Sequence, residues 1–291
     1  GNLADADPTH RHAVRLTKVV PREDPLCPYQ PKGNKANQSL QDLPTPVLEI
    51  EWTVEDALPF PLCISSLGPA PECCLIGDIS VARGNVLLVD HGRTIYPPED
   101  LKTVEGKETI ALCEGEGQPS DVTIVPLPFR PKLEQALLTF RQPLSVRDFT
   151  ETPASQLLAQ DPRQALPQIT QLIGYPPNVP VQNHQLPPER DEWKWIPRPD
   201  LLSSYSRDLH FVVEMDDEGY AHLRFGDGEL GEQPEVGTHF FATYRVGNGP
   251  AGNIGADTIA HAVFRQSVSG IALIPHDPFT ARGGTPPEPL S

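Results

Sequence analysis

Basic residues are scarce in this chain: 23 Lys and Arg stand against 39 Asp and Glu, a formal net charge of −16 over 291 residues. So negative a surface repels a phosphate backbone and an anionic bilayer, so neither nucleic acid nor a membrane is an expected partner. No apolar run approaches the roughly 20 residues that a membrane-spanning helix needs, and no basic stretch leading into an apolar one marks a secretory leader. Cysteines number only five, an odd count with no C-x-x-C pair, so a structural zinc site has no support. Cys73 and Cys74 are adjacent and cannot bridge each other without strain. Together with Cys27, Cys63 and Cys113 they read as reduced thiols, packed mostly as small apolar residues, which fits assembly in a cytoplasm.

Catalytic signatures are equally thin. Ser65, Ser66, Ser203, Ser204 and Ser206 have histidines scattered elsewhere, but no G-x-S-x-G elbow exposes a nucleophile. Asp216, Asp217 and Glu218 lack the spacing and the distal glutamate of a calcium loop and read as a solvated hairpin turn. His10 and His12 share a strand face but lack identifiable further ligands. No catalytic residue, metal site, cofactor or small-molecule substrate is therefore expected, and the chain is read as a non-enzyme. Trp193 and Trp195, two apart and so on one strand face, with Trp52 elsewhere, offer a stacking platform for sugars, although core packing is the commoner use of such a pair.

Present in quantity are proline, 35 residues, and glycine, 22. That much proline excludes a helix-dominated architecture, because each one removes a backbone donor and fixes φ. From His210 to Gly255 the pattern is that of hairpins. Ala221, Leu223 and Phe225 take one face against His222 and Arg224, Gly219 closes the turn before them, and Phe240, Ala242 and Tyr244 alternate in a further strand. Two dinucleotide-like spacings occur here, Gly226-x-Gly228-x-x-Gly231 and Gly247-x-Gly249-x-x-Gly252. A phosphate-binding loop needs a helix directly behind it, and neither run is followed by one. These glycines are read as structural turn residues, with Gly228 and Gly249 at positive φ.

Elsewhere, strands are expected at Val14–Val20, Val47–Val54, Leu62–Ser66, Asp78–Arg83, Val86–Asp90, Thr109–Cys113, Val122–Val125 and Ile259–Arg265. Asp24–Thr45 lacks periodicity and reads as a long loop. Thr152, as N-cap with Pro153 behind it, announces a helix over Ala154–Gln160, and Asp161-Pro162 a second over Arg163–Leu172, kinked by Pro167. The expected fold is mainly β, all-β to α+β: a first antiparallel domain over 1–150, short helices and a Pro-rich connector over 151–181, a second hairpin domain over 182–275, and a linker over 276–291.

Several strings stand in an order that resembles one family. HAVRLTKVVPREDPL, EIEWTVEDALPFPLCIS, ISVARGNVLLVDHGRTI, LLAQDPRQALPQI and PRPDLLSSYSRDLHFVVE lead to RFGDGELGEQPEVG and ATYRVGNGPAGNIGA. Collinear over nearly the whole chain, they resemble baseplate J-like proteins, the large putative baseplate assembly members found as wedge components of contractile phage tails and related injection systems. The resemblance implies a structural role, with wedge, spike or hub, and sheath-proximal proteins as partners. It also implies cytoplasmic assembly followed by incorporation into a virion or tail-like particle. The start at Gly1, the lone Met215 and the closing ARGGTPPEPLS point to an internal fragment of a longer polypeptide. A glycan-binding or glycan-cleaving domain on such a particle is the alternative.

Overall fold

Period-two alternation becomes strand pairing over much of the computed structural model, which describes residues 7–28, 44–71, 73–110, 122–181, 186–188, 190–264, 270 and 273–286. The fold is mainly β, built from several antiparallel sheets. It groups into two compact units, each discontinuous in sequence: Gly1–Leu87 with Leu144–Gln160, and Leu88–Pro143 with Asp161–Ser291. The expected divisions follow sequence position, whereas these follow which strands pair.

In the first unit, β1 (Leu16–Pro28) and β2 (Pro44–Trp52) form a two-stranded antiparallel ribbon, and β3 (Ser66–Leu67) pairs with β4 (Leu75–Ile76). The ribbon extends past the expected strands, so Asp24 and Thr45 pair across it although a loop was expected there; residues 29–43 lie outside the described set.

The second unit is centred on its last strand. Its strands begin with β5 (Arg93–Thr94), β6 (Glu99–Thr103), β7 (Gly106–Ile110), β8 (Val122–Pro126) and β9 (Phe140–Arg141). Two short helices of the first unit then intervene, α1 (Val146–Glu151), which the sequence did not announce, and α2 (Ala154–Leu157). The second unit resumes with β10 (Leu166–Pro167), β11 (Ile169–Tyr175), β12 (Ile196–Pro197), β13 (His210–Met215), β14 (Ala221–Phe225) and β15 (His239–Val246). β15 pairs antiparallel with β11, β5 and β6. β13 and β14 form the expected hairpin with Val213 opposite Leu223, and β12 joins it in parallel. The inward faces meet in one core, where Phe211, Leu223, Phe240, Ala242, Tyr244, Leu172 and Leu133 have no exposed surface. Phe225 and Phe240 lie 4.8 Å apart at its centre. Burying each large apolar side chain contributes about 1.5–3 kcal/mol, so this aromatic cluster dominates what holds the unit together.

Several expectations are corrected. Arg163–Leu172 is not a helix: Pro162–Gln164 makes one 3-10 turn, with the Asp161 carboxylate accepting from Arg163 N–H, and the chain then enters β10 and β11. Pro167 and the β-branched Ile169, Thr170 and Ile173 favour an extended chain, and pairing with β15 decides the matter. The helix at Ala154 has four residues, and Thr152 does not cap it. No strand forms over Asp78–Arg83, Val86–Asp90 or the described part of Ile259–Arg265; among the described residues Asp78–Arg83 makes only two backbone hydrogen bonds to a neighbouring segment, from Ile79 N–H to the Ile64 carbonyl and from Ser80 N–H to the Cys63 carbonyl, too few for a strand pair. Trp193 and Trp195 do not share a strand face either. Trp193 ends a 3-10 turn and packs on Tyr175, while Trp195 is buried edge-on against Phe225 at 4.9 Å.

Candidate functional site

The loop that follows β14 folds back on its own backbone. Gly228 N–H donates to Gly231 carbonyl at 2.9 Å, and a Cβ on Gly226 would stand 2.2 Å from the Gly231 carbonyl carbon, so no side chain fits there. Gly219, Gly228 and Gly231 have left-handed φ of 82°, 89° and 86°, as turn use requires. The Asp227 carboxylate accepts from Glu229 and Leu230 N–H, and Glu232 N–H donates to Asp208 carbonyl, which closes and anchors the loop.

The second glycine run works differently from what was expected. Gly247, Gly249 and Gly252 do not have left-handed φ. A Cβ on Gly252 would meet the His91 side chain at 2.6 Å, one on Gly247 would meet the same ring at 3.1 Å, and one on Gly249 would meet the Thr285 carbonyl oxygen at 2.5 Å. This run makes room for its neighbours. Neither run is followed by a helix long enough to bind phosphate: Gly249–Gly252 is itself a single 3-10 turn.

Beside the first loop lies an open groove of about 470 Å³. Val104, Phe129, Leu201 and Leu230 give it an apolar lining, and Arg130, Arg224, Asp200 and Asp227 a charged one. Arg224 is held by Glu214 at 2.5 Å, with Arg130 3.9 Å from the same carboxylate. A shallower depression of about 530 Å³, with Arg207, Glu232 and Glu235, adjoins it across Gln233-Pro234. The described residues lining the groove include neither tryptophan nor histidine. An apolar lining between fixed charges suits a segment of another protein chain.

One of the serines does meet a histidine. Ser204 Oγ lies 2.9 Å from His210 Nδ1, with Asp208 at 3.7 Å from the same nitrogen. Arg198 donates its Nε–H to His210 Nε2 at 3.2 Å, which leaves the ring proton on Nδ1, pointing at Ser204. The imidazole therefore donates to the hydroxyl and is in the wrong tautomer to take its proton. Burial, then Arg198, lowers the His210 pKa against the opposing pull of Asp208, which favours the neutral ring. This cluster pins the segment between β12 and β13.

The acidic residues are similarly engaged. Asp216 accepts from Tyr220 N–H, Lys132 and His222; burial acts to raise its pKa, but His222, Tyr220 and Lys132 together hold it at about 2. That is the hairpin turn expected there. Asp90 is bound by Arg245 at 2.9 Å, and by Arg141 and Gln168 at 3.0 Å each. Within the core the buried Tyr244 hydroxyl donates to Glu99 and accepts from Gln135 N–H.

In the first unit, Asp56 has no exposed surface and accepts from Arg15, Ala154 and Ser155 N–H and from Ser155 Oγ, at 2.8–3.0 Å. Burial acts to raise its pKa; the four hydrogen bonds outweigh that and hold it at about 2. It thus caps α2 from about a hundred residues away, a role no local pattern announces. His10 stacks on Phe60 at 4.5 Å, and His12 contacts the Asp56 carbonyl, so both imidazoles are occupied in packing. Among the described residues no group of three or more His, Cys, Asp or Glu is placed to hold a metal, and no helix is long and apolar enough to cross a membrane. Of the five cysteines, Cys63, Cys73 and Cys74 are not joined in a disulfide; the Cys27 side chain and Cys113 lie outside the described set.

Comparison of the chain with family models, with curated proteins and with solved structures gives no match in any of the three.

Proposed function

We propose that the chain is a structural module of the baseplate of a contractile phage tail or phage-tail-like injection particle. It works by protein–protein assembly with neighbouring wedge, spike or hub, and sheath-proximal proteins. The collinear order of the motifs from HAVRLTKVVPREDPL to ATYRVGNGPAGNIGA carries this reading. Its surface chemistry is compatible with it. β1–β2 and β7–β8 are separate two-stranded ribbons with exposed Leu16, Val19, Leu48, Val122 and Ile124, and strand edges of this kind pair readily with a neighbouring chain. The glycan-binding alternative needs an exposed aromatic platform, and Trp195 is spent in the core.

The test is made in the intact polypeptide within its own particle. Tagged protein should co-purify with other baseplate components, and deletion of residues 182–274 should leave particles without an attached sheath. Normal contractile particles from the deletion strain would refute the assignment.

A further inference from the structure

We propose that Cys73 and Cys74 form a dithiol site for a soft electrophile that makes two bonds to sulfur, of the trivalent-arsenical class. Both thiols are free and exposed, in the turn between β3 and β4. Neighbouring residues within a strand send their side chains to opposite faces, but Cys73 has a left-handed φ of 44°, which breaks that alternation just before β4 begins. The backbone of the turn is held: Gly68 N–H donates to the Cys74 carbonyl at 2.8 Å and Cys73 N–H to the Pro69 carbonyl at 3.2 Å. Among the described residues neither sulfur is used in a hydrogen bond, whereas the buried Cys63 thiol donates to the Ser65 carbonyl.

A direct bridge between adjacent cysteines is strained because the disulfide geometry demands more separation than neighbours give comfortably. Placing one further atom between the sulfurs enlarges the ring and relieves that strain. With an arsenoxide R–As=O, two S–H bonds and the arsenic–oxygen bond break and two As–S bonds form. The oxygen leaves as water carrying both thiol protons, with no change in oxidation state. Exposed Leu67, Leu75 and Ile76 flank the turn and favour an aryl group on the arsenic.

The experiment uses the full reduced chain, phenylarsine oxide and intact-mass measurement. One phenylarsenic per chain should survive excess glutathione, a monothiol, and be removed by dimercaptopropanol. Cys73→Ser and Cys74→Ser should each lose the glutathione-resistant adduct. A Cys27→Ser/Cys63→Ser/Cys113→Ser variant, which retains only the adjacent pair, should keep it, and this arm holds should either single variant fail to fold. A wild-type adduct stripped by glutathione, or a resistant adduct that persists in folded Cys73→Ser, would overturn the proposal.

Discussion

Asp56 shows how one side chain can hold together parts of the sequence that lie far apart. Its carboxylate satisfies backbone donors at Arg15, Ala154 and Ser155. Asp56→Ala should destabilise the first unit by on the order of 3 kcal/mol, because several donors lose their acceptor together; Asp56→Asn, which keeps one oxygen, should fall between. Urea titration followed by circular dichroism measures both. With a folded pKa of about 2 against an ordinary 3.8, the carboxylate contributes stability above pH 3.8 that is lost as pH falls towards 2. Asp56→Ala should lack that portion of the acid unfolding. The glycines separate two mechanisms. Gly228→Val enters open space and meets only the strain of positive φ, about 1–2 kcal/mol. Gly226→Ala drives a Cβ into the Gly231 backbone and should lower the melting temperature further. Equal melting temperatures for the two would show that the loop yields without loss.

At the scale of elements, β11 and β15 decide the second unit. β11 carries four consecutive buried residues, Leu172 to Tyr175, and lies against the alternating β15. Close packing extends to Gly174, whose Cβ would stand 2.9 Å from Trp195 Nε1. Trp195→Ala should therefore cost about 3–5 kcal/mol, as large-to-small changes in a packed core do. Trp193→Ala, at a half-buried position, should cost much less. Denaturant unfolding of the two variants checks this, and equal losses would contradict the packing described. The paired strands around β15 should also be the last backbone amides to exchange with solvent, and β1–β2 and β7–β8 among the first.

On the scale of the whole molecule, the two units differ in how much they bury. Among its described residues the first unit buries only Asp56, Cys63, Ser66 and Leu157, while the second contains the entire aromatic core. Limited proteolysis under native conditions should therefore cut within 7–87 and 144–160 before it cuts between β11 and β15, as mass spectrometry of the fragments would report. First cuts inside β13 to β15 would contradict that order. The net charge of −16 opposes self-association of the isolated chain.

The sequence by itself determined what depends on neighbours along the chain. Alternation of apolar and polar residues set the faces of β14 and β15, and glycine and acidic residues marked the turns before them. Proline content set the mainly β class. Tertiary structure decided everything that rests on a partner distant in sequence. The apolar residues of Arg163–Leu172 allow a helix until β15 is there to pair with them, and Asp78–Asp90 has strand-like composition but, among the described residues, only the two backbone bonds from Ile79 and Ser80 in place of a partner strand. Trp195 leaves the expected aromatic face because the 3-10 turn at Asp191–Trp193 redirects the chain into the core. Gly247, Gly249 and Gly252 are small because His91 and Thr285 approach them, not because their φ requires it. A local pattern specifies which way a side chain faces; burial and pairing depend on what folding brings opposite it.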